Sequence, residues 1–182
     1  MSKRALILID IQNDYFAGGK WSLEAMQIAS TNAARVLAAA RAAGDKVIHV
    51  RHEFEGKDAP FFAPGSTGAD IHPLVQPLAG EAVVLKHQVN AFLGTDLKAQ
   101  LDAAGIEQIT LVGAMSHMCI DAAARASADF GYATTVIHDA CATRDQAFEG
   151  RSVAAGQVHA AYMAALAFAY ASVVSTEQYL AG

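Results

Sequence analysis

The stretch QITLVGAMSHMCIDAAARASAD, residues 108–129, passes through three textures in quick succession. ITLV is short, apolar and uninterrupted, as in a strand buried on both faces. Gly113 to Met118 has no periodicity and reads as a turn. From Cys119 an alanine-rich helical pattern runs to 130, with Gly131 as its stop. A strand that passes into a helix through a short turn is one half of a βαβ unit, so it predicts a parallel sheet. It also sets one of the two cysteines of the chain at the junction.

The same alternation extends to both sides. RALILI (4–9), KVIHVR (46–51), AVVLK (82–86), YATTVIH (132–138) and SVVS (172–175) read as further strands. Helical patterns cover 23–43, with Ser22 as N-cap and Gly44 as stop, then Thr95 to 104, and 146–170. No Asn-Gly hairpin signal separates the strands. The expectation is an α/β fold: a three-layer α/β/α sandwich on a Rossmann-like, mostly parallel six-stranded sheet, as one domain over 1–182. Residues 53–80 hold all four prolines and four glycines without periodicity, and a loop of that length is expected to be functional. The segment 153–170 is apolar on nearly every face, which predicts burial in the domain or against another copy, hence a homo-oligomer, dimer or tetramer.

At 182 residues and 53% hydrophobic composition the chain can bury a sizeable core. A net charge of −5 with no Lys/Arg run excludes a nucleic-acid footprint. In the opening MSKRALILIDIQ, Asp10 interrupts the apolar run too early for a signal peptide, and no run approaches membrane-span length. The expected setting is the cytoplasm, with no membrane partner and a small-molecule substrate. Cys119 and Cys141 form no CxxC pair or disulfide framework, so each is a small core residue or a reactive group.

In a parallel α/β sheet, ligands bind at the carboxyl ends of the strands. Asp10 closes the first strand, Lys86 the third, and Cys119 follows the fourth. One sheet edge thus gathers a carboxylate, an ammonium and a thiol. A helix N-terminus and a nearby lysine both favour a thiolate, and a carboxylate can take the thiol proton and return it to a leaving group. Each residue has an ordinary reading too: Asp10 as a cap, Lys86 as a surface lysine, Cys119 as a buried hydrophobe. Their convergence on one edge favours the chemical one.

Five segments, LILIDIQNDYF (6–16), FFAPGSTGADIHP (61–73), KHQVNAF (86–92), LVGAMSHMCIDAAARAS (111–127) and VIHDACAT (136–143), resemble the isochorismatase-like cysteine hydrolases, which include nicotinamidases. The resemblance implies a catalytic triad of Asp10, Lys86 and Cys119. It also implies a cis peptide between Ala114 and Met115, and an oxyanion hole from the backbone N–H groups of Met115 and Cys119. The family's isochorismatases cleave a vinyl ether and do not need the cysteine. Cys119 therefore points to hydrolysis of a C–N bond in a small amide, lactam or carbamoyl compound through a thioester.

Three other readings compete: a metal-dependent nicotinamidase, a vinyl ether hydrolase, and a redox or binding protein with a reactive thiol. Nicotinamidases hold a metal through a D-x-H motif after the second strand, and VIHVRHEFEG lacks it. His49, His52, Asp70 and His72 lie nearby, and Asp70-Ile-His72 has the local spacing. The expectation is no metal and no cofactor. Phe16, Trp21 and Phe62, with Phe61, are loop aromatics expected over the crevice, and the resemblance adds Asn90 as a pocket residue. His117 sits two residues from Cys119 but is expected at a rim or interface, since Asp10 is assigned as the base. Cys141 reads as structural. GGK (18–20) lacks the rest of a phosphate loop, and GxSxG, HExxH and GxGxxG are absent.

Overall fold

The computed structural model describes residues 3–56 and 58–182. Met1, Ser2 and Lys57, which fall within the start and the 53–80 loop discussed above, lie outside the described residues. Six parallel strands form the main sheet: β1 (Arg4–Ile9), β2 (Lys46–His52), β3 (Ala82–Lys86), β4 (Gln108–Ala114), β5 (Ala133–Ala142) and β8 (Ser172–Val174), in the order β3-β2-β1-β4-β5-β8. The alternation along β1 builds both faces at once. Leu6 and Leu8 enter one core beside α1 (Met26–Ala43), while Ala5, Ile7 and Ile9 enter the other. The second core is covered by α2 (Leu97–Ala103), α3 (Asp121–Asp129) and α4 (Ala155–Ala169). A short α5 (Thr176–Leu180) joins α1 on the first face. The result is a three-layer α/β/α sandwich. Residues such as Ile7, Ile9 and Leu111 are fully buried, and each stabilises the sheet by roughly 1.5–3 kcal/mol.

Two departures from the sequence reading shape the edge where the site lies. The fifth strand does not end at 138. It runs to Ala142 through an irregularity in which Leu111 pairs with Val136 but Gly113 pairs with Cys141. His138 and Asp139 interrupt the apolar run there, and Asp139 accepts from the Thr176 backbone N–H at 2.7 Å, fixing the start of α5. Opposite the irregularity, Gly113 has φ +126°, and a Cβ built on it would stand 2.0 Å from the Ile9 carbonyl oxygen. Only glycine lets β4 lie this close to the end of β1.

The expected helix 146–170 is also divided. Gln146–Phe148 (β6) pairs antiparallel with Arg151–Val153 (β7), and α4 begins only at Ala155. The Glu149-Gly150 pair, both with positive φ, makes the hairpin turn. Helix α1 starts at Met26 rather than 23, because Glu24 instead bridges Thr143, its N–H donating to the Thr143 carbonyl at 3.0 Å. Within this chain α4 buries one stripe (Ala155, Val158, Met163, Leu166), and Phe168 on another face is 91% exposed. No helix among the described residues is long and apolar enough to cross a membrane.

Candidate active site

The carboxyl edge of the sheet brings four side chains together. Asp10 follows β1 with φ +52°, a left-handed conformation that aspartate tolerates better than most residues, and its N–H donates to the Val50 carbonyl at 2.9 Å. This turn ends β1 and sends the carboxylate into the cleft. Lys86, the last residue of β3, is 0% exposed. Its Nζ lies 2.8 Å from Asp10 Oδ2, 3.3 Å from Cys119 Sγ and 2.9 Å from His52 Nδ1. An ammonium has three N–H donors, and three neighbours stand ready to accept them.

Cys119 does not open a regular α-helix. Ser116–Ile120 is a single wide turn, in which the Ile120 N–H donates to the Met115 carbonyl five residues back at 3.2 Å, and α3 starts at Asp121. Such π-turns recur at functional sites. The peptide between Ala114 and Met115 is cis. Side chains fix the turn on both flanks. The Ser116 hydroxyl lies 2.8 Å from His159 Nδ1 and donates to the Ala142 carbonyl, and His117 Nδ1 lies 2.6 Å from Thr143 Oγ1.

The sequence reading has helix end and lysine favouring a thiolate and Asp10 taking the thiol proton, and burial adds an influence that opposes ionisation. In the structure Cys119 is 5% exposed, and burial, reinforced by the Asp10 charge and opposed by Lys86, pushes its thiol up to about 12. Burial thus favours the protonated thiol. Burial also raises Asp10, with Lys86 opposing, so its carboxyl is more basic than usual. For Lys86 burial works against the charge, but Asp10 and Cys119 outweigh it and the ammonium is held charged. A buried base beside a protonated thiol and a fixed cation suits proton transfer at the moment of attack.

His52, which the sequence reading weighed only as one of several nearby metal-ligand candidates, is the partner of Lys86 that it missed. Burial, then the Lys86 charge, lowers its pKa to about 3, so the ring stays neutral and Nδ1 accepts from the ammonium. This makes the fold acid-sensitive. The folded value lies below the unfolded value of about 6.5, so the contribution is whole above pH 6.5 and is lost as pH falls toward 3. His52→Gln, which keeps a neutral acceptor, is expected to flatten the loss of stability over that window by up to about 1.4 kcal/mol per pH unit. Thermal melts of both proteins from pH 7 to 4 check this.

The 53–80 loop is fastened over the edge by groups near the start of the chain. The fully buried Gln12 amide donates to the carbonyls of His52 (2.8 Å) and Ala69 (2.7 Å), and its oxygen accepts from the His52 N–H. Asp14 Oδ2 accepts from the Phe62 N–H at 2.7 Å. Tyr15, Phe54, Phe61, Phe62 and Trp21 then pack as one aromatic cluster that reaches His52 through Phe54 at 4.6 Å. Tyr15 is close enough to feel Asp10 and Cys119: burial first, then both charges, raise its phenol.

The aromatic residues singled out in the sequence have separate places. Trp21 lines an open depression of about 520 Å³ together with Met115 and Met118, which flank Cys119 in the thiol turn. Phe62 is wholly buried in the cluster. Phe16 stacks on His72 at 3.6 Å and borders a different depression with Gly18 and Lys20. Asn90 Oδ1 accepts from the Phe92 N–H. Cys141 is buried on β5, its thiol likewise pushed up to about 12 by burial.

A metal does not fit the donors present. Among the described residues no three His, Cys, Asp or Glu side chains gather as a ligand set. His52 Nδ1 is turned to the Lys86 ammonium, and His72 Nδ1 accepts from the Leu74 N–H. His49 faces Glu81 at 3.0 Å.

Comparison with known proteins gives one consistent answer. A family model described as the isochorismatase domain matches residues 4–178. YddQ, an isochorismatase family protein of Bacillus subtilis, is 46% identical over 176 residues, which are 97% of this chain and 98% of its own. Streptothricin hydrolase of Streptomyces noursei is 34% identical over 142 residues, 78% of this chain and 50% of that one. The crystal structure of an isochorismatase hydrolase from Oleispira antarctica is 55% identical with a TM-score of 0.95, over 98% of this chain and 96% of that one.

Proposed function

The chain belongs to the isochorismatase family and is a hydrolase, and from that premise we propose that it hydrolyses the C–N bond of a small amide, lactam or carbamoyl compound through a thioester on Cys119. The observation that carries this reading is the Lys86 ammonium, buried between the Asp10 carboxylate and the Cys119 sulfur. Asp10 takes the thiol proton as sulfur attacks the carbonyl carbon. The backbone N–H groups of Met115 and Cys119 hold the oxyanion. The C–N bond breaks, and the amine or ammonia leaves with the proton from Asp10. Asp10 then takes a proton from water, whose oxygen attacks the thioester carbonyl. The acid departs and the thiol is restored. Lys86 stays charged throughout and balances whichever of carboxylate or sulfur is anionic.

The same reading includes a small-molecule substrate, a reducing cytoplasmic setting for the two unpaired cysteines, and a dimer or tetramer that covers the exposed face of α4. It needs neither metal nor cofactor. The test is a panel of primary amides, lactams, cyclic imides and ureido acids, with acid-quenched mass spectra of the enzyme during turnover. The expected result is release of ammonia or amine, with an acyl adduct on the peptide that contains Cys119. Sulfenate or disulfide on that peptide, with no acyl adduct on any substrate, would establish a thiol used for redox chemistry instead.

A further inference from the structure

One anchor of the thiol turn has a direction that its contacts settle. Ser116 is wholly buried, and its hydroxyl lies 3.2 Å from the Ala142 carbonyl oxygen and 2.8 Å from His159 Nδ1. A hydroxyl has one proton to give, and a carbonyl can only accept. With that proton on Ala142, the shorter contact is satisfied only when His159 donates from Nδ1. A proton on Nε2 instead would leave two acceptors competing for one donor. Nε2 has no hydrogen-bond partner among the described residues, so none holds a proton there. The ring lines a cavity of about 300 Å³ together with Ile28, His138 and Cys141. Burial, then His138, lowers the His159 pKa and favours the neutral ring, so the Nδ1 donor comes from the tautomer and not from a charge.

We propose that His159 is a positioning residue of the reaction: its Nδ1–H holds the Ser116 hydroxyl, and Ser116 holds the thiol turn at the geometry in which the Met115 and Cys119 N–H groups meet the oxyanion. This rests on the amide-hydrolase reading for the oxyanion, and on the contacts of Ser116 for the device. Met115 stands one residue before Ser116 and Cys119 three after it, so a shift of the serine moves both donors. The anchor ties the turn to the start of α4 on one side and to the end of β5 on the other. His159 touches no reacting atom and acts through Ser116 alone. Donors aimed at an oxyanion act where charge develops, so their misplacement falls on the tetrahedral state and spares the resting thiol. A displacement of about 1 Å can cost about 10²-fold in rate.

Propionaldehyde probes this geometry without turnover. The Cys119 sulfur adds to its carbonyl carbon, the thiol proton passes to the carbonyl oxygen, and that oxygen occupies the place of the oxyanion. The adduct shields Cys119 from iodoacetamide, so aldehyde affinity is read from the alkylation rate of the Cys119 peptide by mass spectrometry. The wild type is expected to show saturable protection. His159→Ala and Ser116→Ala should each weaken the aldehyde about tenfold or more, and the double variant no further than about twofold beyond either, since the two act as a unit. Alkylation without aldehyde should change less than about threefold, because the sulfur keeps its own partners. His159→Asn puts an amide N–H where Nδ1 stands and should return to within about threefold of the wild type, whereas His159→Asp offers only acceptor oxygens there and should not. Val158→Ala loosens the packing of α4 without touching the anchor and should keep the affinity within about twofold. If His159→Ala fails to fold, Ser116→Ala and the Asn and Asp variants carry the test. No protection in the wild type, equal affinity in His159→Ala or Ser116→Ala, recovery by aspartate as full as by asparagine, or an equal loss in Val158→Ala overturns the assignment.

The outcome separates from that of the hydrolase reading. Amide turnover that His159→Ala leaves unchanged keeps the hydrolase and removes the positioning role. Aldehyde protection that depends on His159, with no amide turned over, does the reverse.

Discussion

Cys119→Ala is expected to lose amide hydrolysis by about 10⁴-fold or more in kcat, because the thioester route has no other nucleophile. The folded protein should tolerate the change. The side chain is small and enclosed, so the cost is on the order of 1 kcal/mol and Tm should fall by only a few degrees. Cys119→Ser keeps the shape and an O–H, but an alcohol is harder to deprotonate than a thiol. It should be nearly as inactive. In the proposed cycle Asp10→Asn removes the base while leaving the sulfur in place, and it should match Cys119→Ala within about tenfold, since residues that act as a unit do not contribute additively. The measurement is ammonia release at saturating substrate, with circular dichroism to confirm folding. Full activity in Cys119→Ala would remove the thioester, and would favour the vinyl ether chemistry that needs no thiol.

The largest effect on stability is expected at Lys86. Lys86→Met keeps the length of the stem and removes the charge, leaving Asp10 enclosed without its cation. Breaking one side of a buried pair costs roughly 3–5 kcal/mol, which for a chain of this size lowers Tm by about 10 °C. Activity should fall with it, because nothing then balances the carboxylate or the sulfur anion. Two further measurements separate the charge from packing. In Lys86→Met the Asp10 pKa is raised further, so the protonated carboxyl is the favoured form in the fold. That contribution is present below the unfolded value of about 3.9 and is lost as pH rises through the folded pKa, so the variant should gain on the wild type as pH is lowered. The double variant Asp10→Asn/Lys86→Met removes both charges and should recover most of the lost stability with no activity. A double variant as unstable as the sum of the single ones would mean the two groups act independently.

How much of this was open to reading from the sequence depends on whether the signal was local. Strand ends were local: Ile9 to Asp10 and Leu85 to Lys86 are abrupt changes from apolar to charged, and one topology rule puts them on one edge. His52 was not, because its partner is thirty-four residues away and its own neighbours, His49 and the Asp70-Ile-His72 segment, suggest only a metal-ligand candidate. Thr143 and His159, which anchor the thiol turn, are ordinary in their local contexts and acquire a purpose only when β5 and α4 close around residues 116–119. The hairpin over 146–153 did have a local signal, Glu149-Gly150, but the apolar helical pattern beyond it extended the helix reading backwards. Among the loop aromatics the sequence could place residues near the crevice without orienting them. Trp21 borders the depression beside the thiol turn, while Phe62 is enclosed by its neighbours.

Gly113 has a consequence for how such an enzyme can diversify. The separation between the carboxylate and the thiol turn is set by two strands whose main chains touch, Ile9 against Gly113, with no side chain between them. Exchange of whole loops cannot detune a distance held in that way. A library that randomises 58–68 and 144–153 while leaving position 113 alone samples new appetites on a fixed chemical engine, whereas a single methyl group at 113 would misalign it for every substrate at once.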